Sequence, residues 1–146
     1  MGSGRFQGGK QENTCMEISR TDLHCEPIGN VAVQLYGKKK WTLVDPSFSH
    51  LLRPTIAKDG RAYYFSSLDP KISLDHIPKY EIITEAGDAL WVPPWYWHRV
   101  DYIDNGVSFA ASLFHFRPYD FFLNNPLYSI LVTPNLVKEL LRFKIE

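Results

Sequence analysis

The chain of 146 residues has only two cysteines and no excess of charge of either sign. Cys15 and Cys25 form neither a CxxC pair nor the multi-cysteine framework of a small secreted domain, so a reducing compartment is expected. Lysine and arginine together number 16, as do aspartate and glutamate, and the formal net charge is zero. Without a net positive field, neither nucleic acid nor an anionic membrane surface is an expected partner.

Long hydrophobic runs are also missing. No stretch reaches the roughly 18 consecutive apolar residues of a membrane-spanning helix. Residues 1–13 are polar and glycine-rich, without the apolar centre of a signal peptide, and are expected to form a flexible lead-in. The sequence therefore predicts a soluble intracellular protein, cytoplasmic or nuclear. Its length fits one domain, which buries roughly 70% of the surface of the unfolded chain.

Short β-rich runs separated by glycine and proline fill most of the chain. After a strand, a break and a second strand within residues 14–30, further strands are predicted over 31–36, 41–44, 80–84, 89–92 and 98–103. Asn105-Gly106 is a hairpin turn signal, so residues 107–116 are expected to return antiparallel beside the strand that starts at His98. About eight strands indicate an all-β jelly roll, or double-stranded β-helix, over residues 14–117.

The pattern changes from strand to helix in residues 118–146. Thr133-Pro134 is typical of an N-cap followed by proline at the first helical position. Beyond it, apolar residues recur at helical spacing, namely Leu136, Val137, Leu140 and Leu141. A short amphipathic helix is predicted to close the chain. Its apolar stripe, which Phe143 extends, either packs on the barrel or pairs two copies of the chain as a homodimer.

Two histidines and one carboxylate form a candidate metal site. His24 and Glu26 are two residues apart, so on an extended strand their side chains share a face. His98 follows an apolar run that Pro93-Pro94 interrupts. Two histidines and a carboxylate make the facial triad that holds Fe(II) and leaves positions open. A structural zinc site instead closes all four positions, typically with thiolates. We therefore predict that His24, Glu26 and His98 are the metal ligands and the catalytic centre.

The order of the motifs resembles that of a known family. Thr21-x-x-His24-x-Glu26-x-x-x-Asn30 is followed by Gln34-x-x-Gly37-x-Lys39-x-Trp41, by Asp45-Pro46, and by Gly87-Asp88 through Trp97-His98. Over about residues 15–116 this order is similar to the Jumonji C (cupin-like) family of Fe(II)- and 2-oxoglutarate-dependent oxygenases. Within that family it resembles the asparaginyl hydroxylases that act on hypoxia-inducible factor.

The resemblance implies a dioxygenase that uses Fe(II), takes 2-oxoglutarate as cosubstrate and hydroxylates a side chain of a protein or peptide, or demethylates methyl-lysine. It also implies a homodimer through the C-terminal helix. Glu26 departs from the aspartate of the asparaginyl hydroxylases, although some Jumonji C demethylases have glutamate there. The implied cosubstrate contacts are Thr21, Asn30, Lys39 and Ser112. Lys39 would meet the far carboxylate inside the barrel, where an unpaired charge is costly.

Two other functions stay open from the residues alone. Another metal-dependent cupin enzyme would act on a small molecule, but many of these use a His-x-His pair, and here Cys25-Glu26 follows His24. A non-catalytic binding module with the same fold is the other alternative. Such a module would be free to lose a metal ligand, so the intact set of three argues against it. Lys39 also has the alternative of a solvent-facing strand lysine. The aromatic residues before His98 are expected to pack in the core, with substrate contact as the alternative, namely Trp91, Trp95, Tyr96 and Trp97. Residues expected to pack in the barrel wall or to stay outside the site are Cys25, His50, His76 and His115.

Overall fold

The computed structural model describes residues 19–57, 61–69, 73–104 and 107–142. The predicted lead-in over residues 1–13, the Asn105-Gly106 turn and Phe143 lie outside these ranges. Within them the chain forms nine strands, one 3-10 helix at Pro46–Leu52 and two α-helices. No helix in this part of the chain is both long and apolar enough to cross a membrane.

The strands form two antiparallel sheets. The larger sheet contains β1 (His24–Cys25), β3 (Lys39–Val44), β4 (Pro54–Ile56), β5 (Tyr64–Ser66), β6 (Tyr80–Thr84) and β8 (Trp97–Tyr102). Its strand order is β4-β5-β1-β8-β3-β6. The smaller sheet contains β2 (Gly29–Tyr36), β7 (Ala89–Val92) and β9 (Phe109–His115), in the order β7-β2-β9. The predicted all-β jelly roll is confirmed.

The two sheets share one apolar core between their inner faces. Trp41, Leu43 and Val100 from the larger sheet pack with Ala32 and Val92 from the smaller one. Residues that are paired across antiparallel strands point to the same face. The pairs Leu43↔His98, Trp41↔Val100 and Lys39↔Tyr102 therefore place His98 and Lys39 on this inner face as well.

A second core covers the outer face of the larger sheet. Cys25, Trp95 and Trp97 are completely buried there, together with Phe121 and Val132 of the C-terminal helices. The expectation that Cys25 packs in the barrel wall and that these two tryptophans pack in the core is confirmed. Trp91, by contrast, is partly exposed and stacks on His115 with 4.8 Å between ring centroids.

The predicted pairing of residues 107–116 beside the His98 strand is wrong. β9 pairs with β2 in the other sheet, over a register that runs from Gly29↔His115 to Tyr36↔Phe109. Gly37, which follows β2, has a φ of +70°, and a Cβ at this position would lie 2.9 Å from the Val107 carbonyl oxygen, so the chain packs closely here. Gln34 then donates to the Ser108 hydroxyl at 2.9 Å. These contacts hold the start of β9 against the end of β2.

The predicted helix start at Thr133-Pro134 is also wrong. α1 (Pro118–Asn124) and α2 (Pro126–Arg142) precede and include that position, so Pro134 lies inside α2. An interior proline costs a helix about 3 kcal/mol. Tyr128 and Val132 on the same helix are buried in the outer core, and burial of each large apolar side chain contributes about 1.5–3 kcal/mol. Packing on the barrel therefore outweighs the local penalty.

The C-terminal helices carry apolar side chains on two faces. Leu136 packs against the outer core with Tyr128 and Val132. The outward face exposes Tyr119, Leu127, Ile130, Leu131, Val137 and Leu141. The predicted stripe is thus divided, since Leu136 packs on the barrel while Val137 and Leu141 face solvent.

Self-association through this outward face stays a prediction, and it is testable. We expect light scattering to give a dimer mass at about tens of micromolar, a concentration that matches common affinities. Ile130→Glu places a charge in the middle of this outward face and should give a monomer. Ile83→Glu, on the exposed part of β6, is the control and should leave the dimer intact. A monomeric parent protein at that concentration would contradict the prediction.

Candidate metal centre

The three predicted ligands come together at one end of the barrel. His24 and His98 are a cross-strand pair of β1 and β8, with ring centroids 4.2 Å apart. Strand alternation was the reason for grouping Glu26 with His24, yet β1 ends at Cys25, one residue before Glu26. The carboxylate still reaches the site, with Oε1 3.5 Å from His24 Nε2. The ligand atoms of all three side chains lie within 4.8 Å of one another.

Both imidazole rings are oriented by backbone carbonyls. Nδ1 of His24 donates to the Asp22 oxygen at 2.7 Å, and Nδ1 of His98 donates to the Tyr96 oxygen at 3.0 Å. A carbonyl oxygen only accepts, so the proton of each neutral ring is on Nδ1. Nε2 of each ring is therefore the atom with a free lone pair. Proteins commonly orient a metal-binding histidine in this way, with the ring nitrogen that does not bind the metal donating to a carbonyl.

The electrostatics of the two histidines differ. Burial, together with the neighbouring His24, lowers the pKa of His98 to about 4, so His98 is neutral near pH 7. Burial also acts to lower the pKa of His24, but the hydrogen bonds to Glu26 and to the Asp22 carbonyl outweigh it and raise that pKa. When His24 is protonated, the added proton is on Nε2, between the ring and the Glu26 carboxylate. A metal ion would bind between the same two groups. Metal binding would release this proton.

The donor set fits a metal with open coordination positions. Glu26 and His98 are almost completely buried, and the set contains two nitrogens, one carboxylate and no thiolate. Ligands at about 2.0–2.2 Å from one metal lie on the order of 3 Å apart when they are adjacent. The 3.5 Å between His24 and Glu26 therefore needs only a small shift. Cys25 is buried in the outer core and does not complete a closed zinc site.

Lys39 lies on the inner face of the barrel rather than in solvent. Its relative exposure is 9%, which disfavours the solvent-facing alternative. Burial lowers the pKa of its ammonium group, and Nζ lies 5.2 Å from the centroid of the Tyr102 ring. Among the described residues, no carboxylate lies within ion-pair distance of Nζ. The main favourable contact of the Lys39 ammonium group is therefore the weak interaction with the Tyr102 ring.

Asn30 and Ser112 are brought together, whereas Thr21 is held elsewhere. The Asn30 amide lies 3.5 Å from the Ser112 hydroxyl, and its other polar atom is buried with no partner in the described part of the chain. The oxygen and nitrogen of an amide exchange places when it is turned over. Asn30 therefore has one spare polar group, which a ligand would satisfy. The Thr21 hydroxyl accepts from the Val100 amide at 2.9 Å, and its cosubstrate role stays a prediction.

Sequence reasoning missed two side chains next to the site. Tyr102 lies four residues after His98 on the same strand, so strand alternation alone places it on the inner face beside Lys39. Phe65 pairs with His24 and stacks on its ring, with 5.7 Å between centroids. It belongs to β5, a three-residue strand within the irregular region, and nothing in its local pattern indicated this position. His50 and His76 are exposed, as expected.

Removal of either histidine should abolish tight metal binding. We expect His24→Ala and His98→Ala to lose Fe(II) while circular dichroism shows a folded barrel, because each variant lacks one of three protein bonds to the metal. His50→Ala, an exposed histidine of the 3-10 helix, is the control and should bind as the parent does. Anaerobic metal analysis of the purified proteins is the measurement. Parent-like iron content in His24→Ala or His98→Ala would disprove this ligand set.

Comparison with known proteins gives matches over most of this domain. Residues 6–121 match the model of the cupin-like domain family. JmjC domain-containing protein D of Dictyostelium discoideum is 30% identical over 96 residues, 60% of this chain and 21% of that protein. HSPB1-associated protein 1 homolog of Danio rerio is 27% identical over 96 residues, with the same two coverages.

The name of a third relative refers to the synthesis of tRNA wybutosine. The tRNA wybutosine-synthesizing protein 4 of Aspergillus oryzae is 30% identical over 93 residues, 63% of this chain and 9% of that protein. The chain thus spans about a fifth or less of the length of these relatives. The match to the family model and the jelly-roll architecture agree with each other, and they show that this chain belongs to the cupin-like domain family, with JmjC-type relatives.

Proposed function

We propose that the protein is an Fe(II)- and 2-oxoglutarate-dependent oxygenase that hydroxylates a side chain of a protein substrate. The observation that carries the proposal is the cluster of His24, Glu26 and His98, whose Nε2 atoms and carboxylate converge at one end of the barrel. A buried, ion-unpaired Lys39 on the same inner face supports it. The proposal includes the resemblance of the motifs to those of the asparaginyl hydroxylases.

Each residue of the triad has a defined task. Fe(II) and 2-oxoglutarate, when bound, supply the activation of O₂ that hydroxylation needs. Asp22 and Tyr96 carbonyls keep Nδ1 protonated, so that both histidines present Nε2 to the metal. Burial keeps His98 neutral, and Glu26 contributes the negative charge. The inner core of Trp41, Leu43 and Val100 keeps water from the strands that carry the site.

The residues further inside the barrel fit a dicarboxylate. If one end of 2-oxoglutarate is at the metal, its far carboxylate needs a charged donor in a water-poor interior. Lys39 supplies an ammonium group with no carboxylate partner among the described residues. Asn30 and Ser112 add neutral polar groups on the neighbouring sheet.

The proposal is tested by anaerobic titration of the protein with Fe(II) and then 2-oxoglutarate. We expect a weak visible charge-transfer band that appears only when both are present, because the band requires the 2-oxo acid to chelate the iron. Succinate, a dicarboxylate without the 2-oxo group, is the control ligand and should give no band. If 2-oxoglutarate gives none either, a different cupin activity or a binding module becomes the better hypothesis.

A substitution of Lys39 separates cosubstrate binding from metal binding. A charge-assisted hydrogen bond to a buried carboxylate is worth roughly 1.5–3 kcal/mol, so Lys39→Ala should weaken 2-oxoglutarate binding by about ten- to a hundred-fold. Mn(II) affinity should stay unchanged, since the lysine is not a ligand. Lys40→Ala is the matched control, because Lys40 lies on the opposite face and pairs with Glu81 at 3.0 Å.

Isothermal calorimetry with Mn(II) as a redox-stable substitute for Fe(II) measures both affinities. If Lys39→Ala and Lys40→Ala bind 2-oxoglutarate as tightly as the parent, Lys39 has no role in cosubstrate binding.

A further inference from the structure

We infer that Trp95 is a positioning residue that couples the C-terminal helices to the metal ligands Glu26 and His98. The inference rests on the proposed function only in that the triad binds a metal. Trp95 follows Pro93-Pro94 and lies three residues before His98. It is not a ligand, and it acts through its backbone on one side and its side chain on the other.

The backbone of Trp95 has an unusual conformation. Its φ is +68°, in the left-handed region that large side chains rarely occupy. Arg53 is the other non-glycine residue with positive φ in the described part of the chain, and it caps a 3-10 helix, where this conformation is common. Trp95 is instead the third residue of a turn in which the Tyr96 amide donates to the Pro93 carbonyl at 3.3 Å, and a positive φ at this position favours glycine. Such a conformation persists only where the surroundings enforce it, and it is typical of functional sites.

This conformation connects the two segments that carry the ligands. The Trp95 amide donates to the carbonyl oxygen of Glu26 at 2.7 Å. The carbonyl of the next residue, Tyr96, accepts from Nδ1 of His98. One short stretch of backbone therefore holds the main chain of the carboxylate ligand and sets the ring orientation of the second histidine. A rotation of this stretch would displace both ligands together.

The side chain of Trp95 is anchored in the outer core. It is completely buried, and its indole N–H donates to the carbonyl oxygen of Phe121 in α1 at 2.7 Å. The ring packs against Phe121 and Tyr128 with centroid distances of 5.6 and 6.0 Å. Ser129 of α2 donates to the same Phe121 oxygen. The helices thereby fix the indole, and the indole fixes the backbone beside the ligands.

Trp97 provides a matched comparison. It is also completely buried, and its indole N–H donates to the Ser49 hydroxyl at 2.8 Å. Trp97→Phe and Trp95→Phe each remove one indole hydrogen bond and the same volume from the outer core. The Trp95 amide in addition bonds to the carbonyl of the ligand residue Glu26, a contact that the loop hydrogen bonds of the described residues do not give to Trp97. A role limited to packing would make the two variants equivalent, whereas a positioning role makes them differ.

The experiment compares Co(II) binding to the full chain and to both variants, using the visible absorption of the ion. We expect Trp95→Phe to bind Co(II) at least about ten-fold more weakly, the range seen when a metal site loses an outer-shell partner. Its absorption bands should also shift, since the ligand geometry relaxes. Trp97→Phe should bind within about two-fold of the parent. Equal affinities and spectra for the two variants would overturn the inference while the proposed metal site stands.

Hydrogen exchange adds a measurement that needs neither a metal nor a variant. The Trp95 amide proton of the metal-free parent should exchange slowly, because its acceptor is the Glu26 carbonyl. Exchange as fast as that of exposed loop amides would overturn the inference even if Trp95→Phe does not fold. If the parent binds no Co(II), the proposed function fails. The inference, which needs a metal at the triad, then fails with it, whereas equal Co(II) binding by the parent and both variants overturns the inference alone.

Discussion

The candidate metal site depends on the attachment of a two-residue strand, β1, to β8. A strand this short has little pairing of its own, yet it must hold His24 opposite His98. Thr21 provides the attachment: its amide donates to the Val100 carbonyl and its hydroxyl accepts from the Val100 amide, both at 2.9 Å. Each such bond contributes about 0.5–1.5 kcal/mol. Together they fix the chain three residues before the first ligand.

The two cores of the protein have different tasks around this attachment. The outer core buries the indoles of Trp95 and Trp97 and joins the helices to the larger sheet. The inner core, around Trp41 and Val100, separates the sheets and surrounds the strands that carry the polar residues. The three candidate ligands lie between the two cores. The histidine rings are on the inner face, and the outer core holds the backbone of the ligands. A rigid backbone and a water-poor interior are thus supplied by opposite sides of one sheet.

The sequence predicted the local features of the site better than the pairing of distant strands. The two-residue spacing of His24 and Glu26, together with the motifs around His98, grouped the three residues that the structure brings together. β9 pairs with β2, which lies more than seventy residues earlier in the chain, and a pairing over this distance has no local signal. The Thr133-Pro134 signal was outweighed by burial of the preceding turns of α2. The cosubstrate roles of Asn30, Lys39 and Ser112 come from the family resemblance. The structure adds the burial of Lys39 and the contact between Asn30 and Ser112.

The buried polar groups of the inner face make the best physical sense as a ligand site. An ammonium group whose pKa burial lowers, as at Lys39, destabilises the folded chain unless an anion compensates it. The contact with Tyr102 is worth about 0.5–1 kcal/mol, less than the effective penalty of several kcal/mol for burying an ion fully. Asn30 adds an unsatisfied polar atom on the facing sheet. A bound dicarboxylate would satisfy both groups together and stabilise the fold by its binding energy.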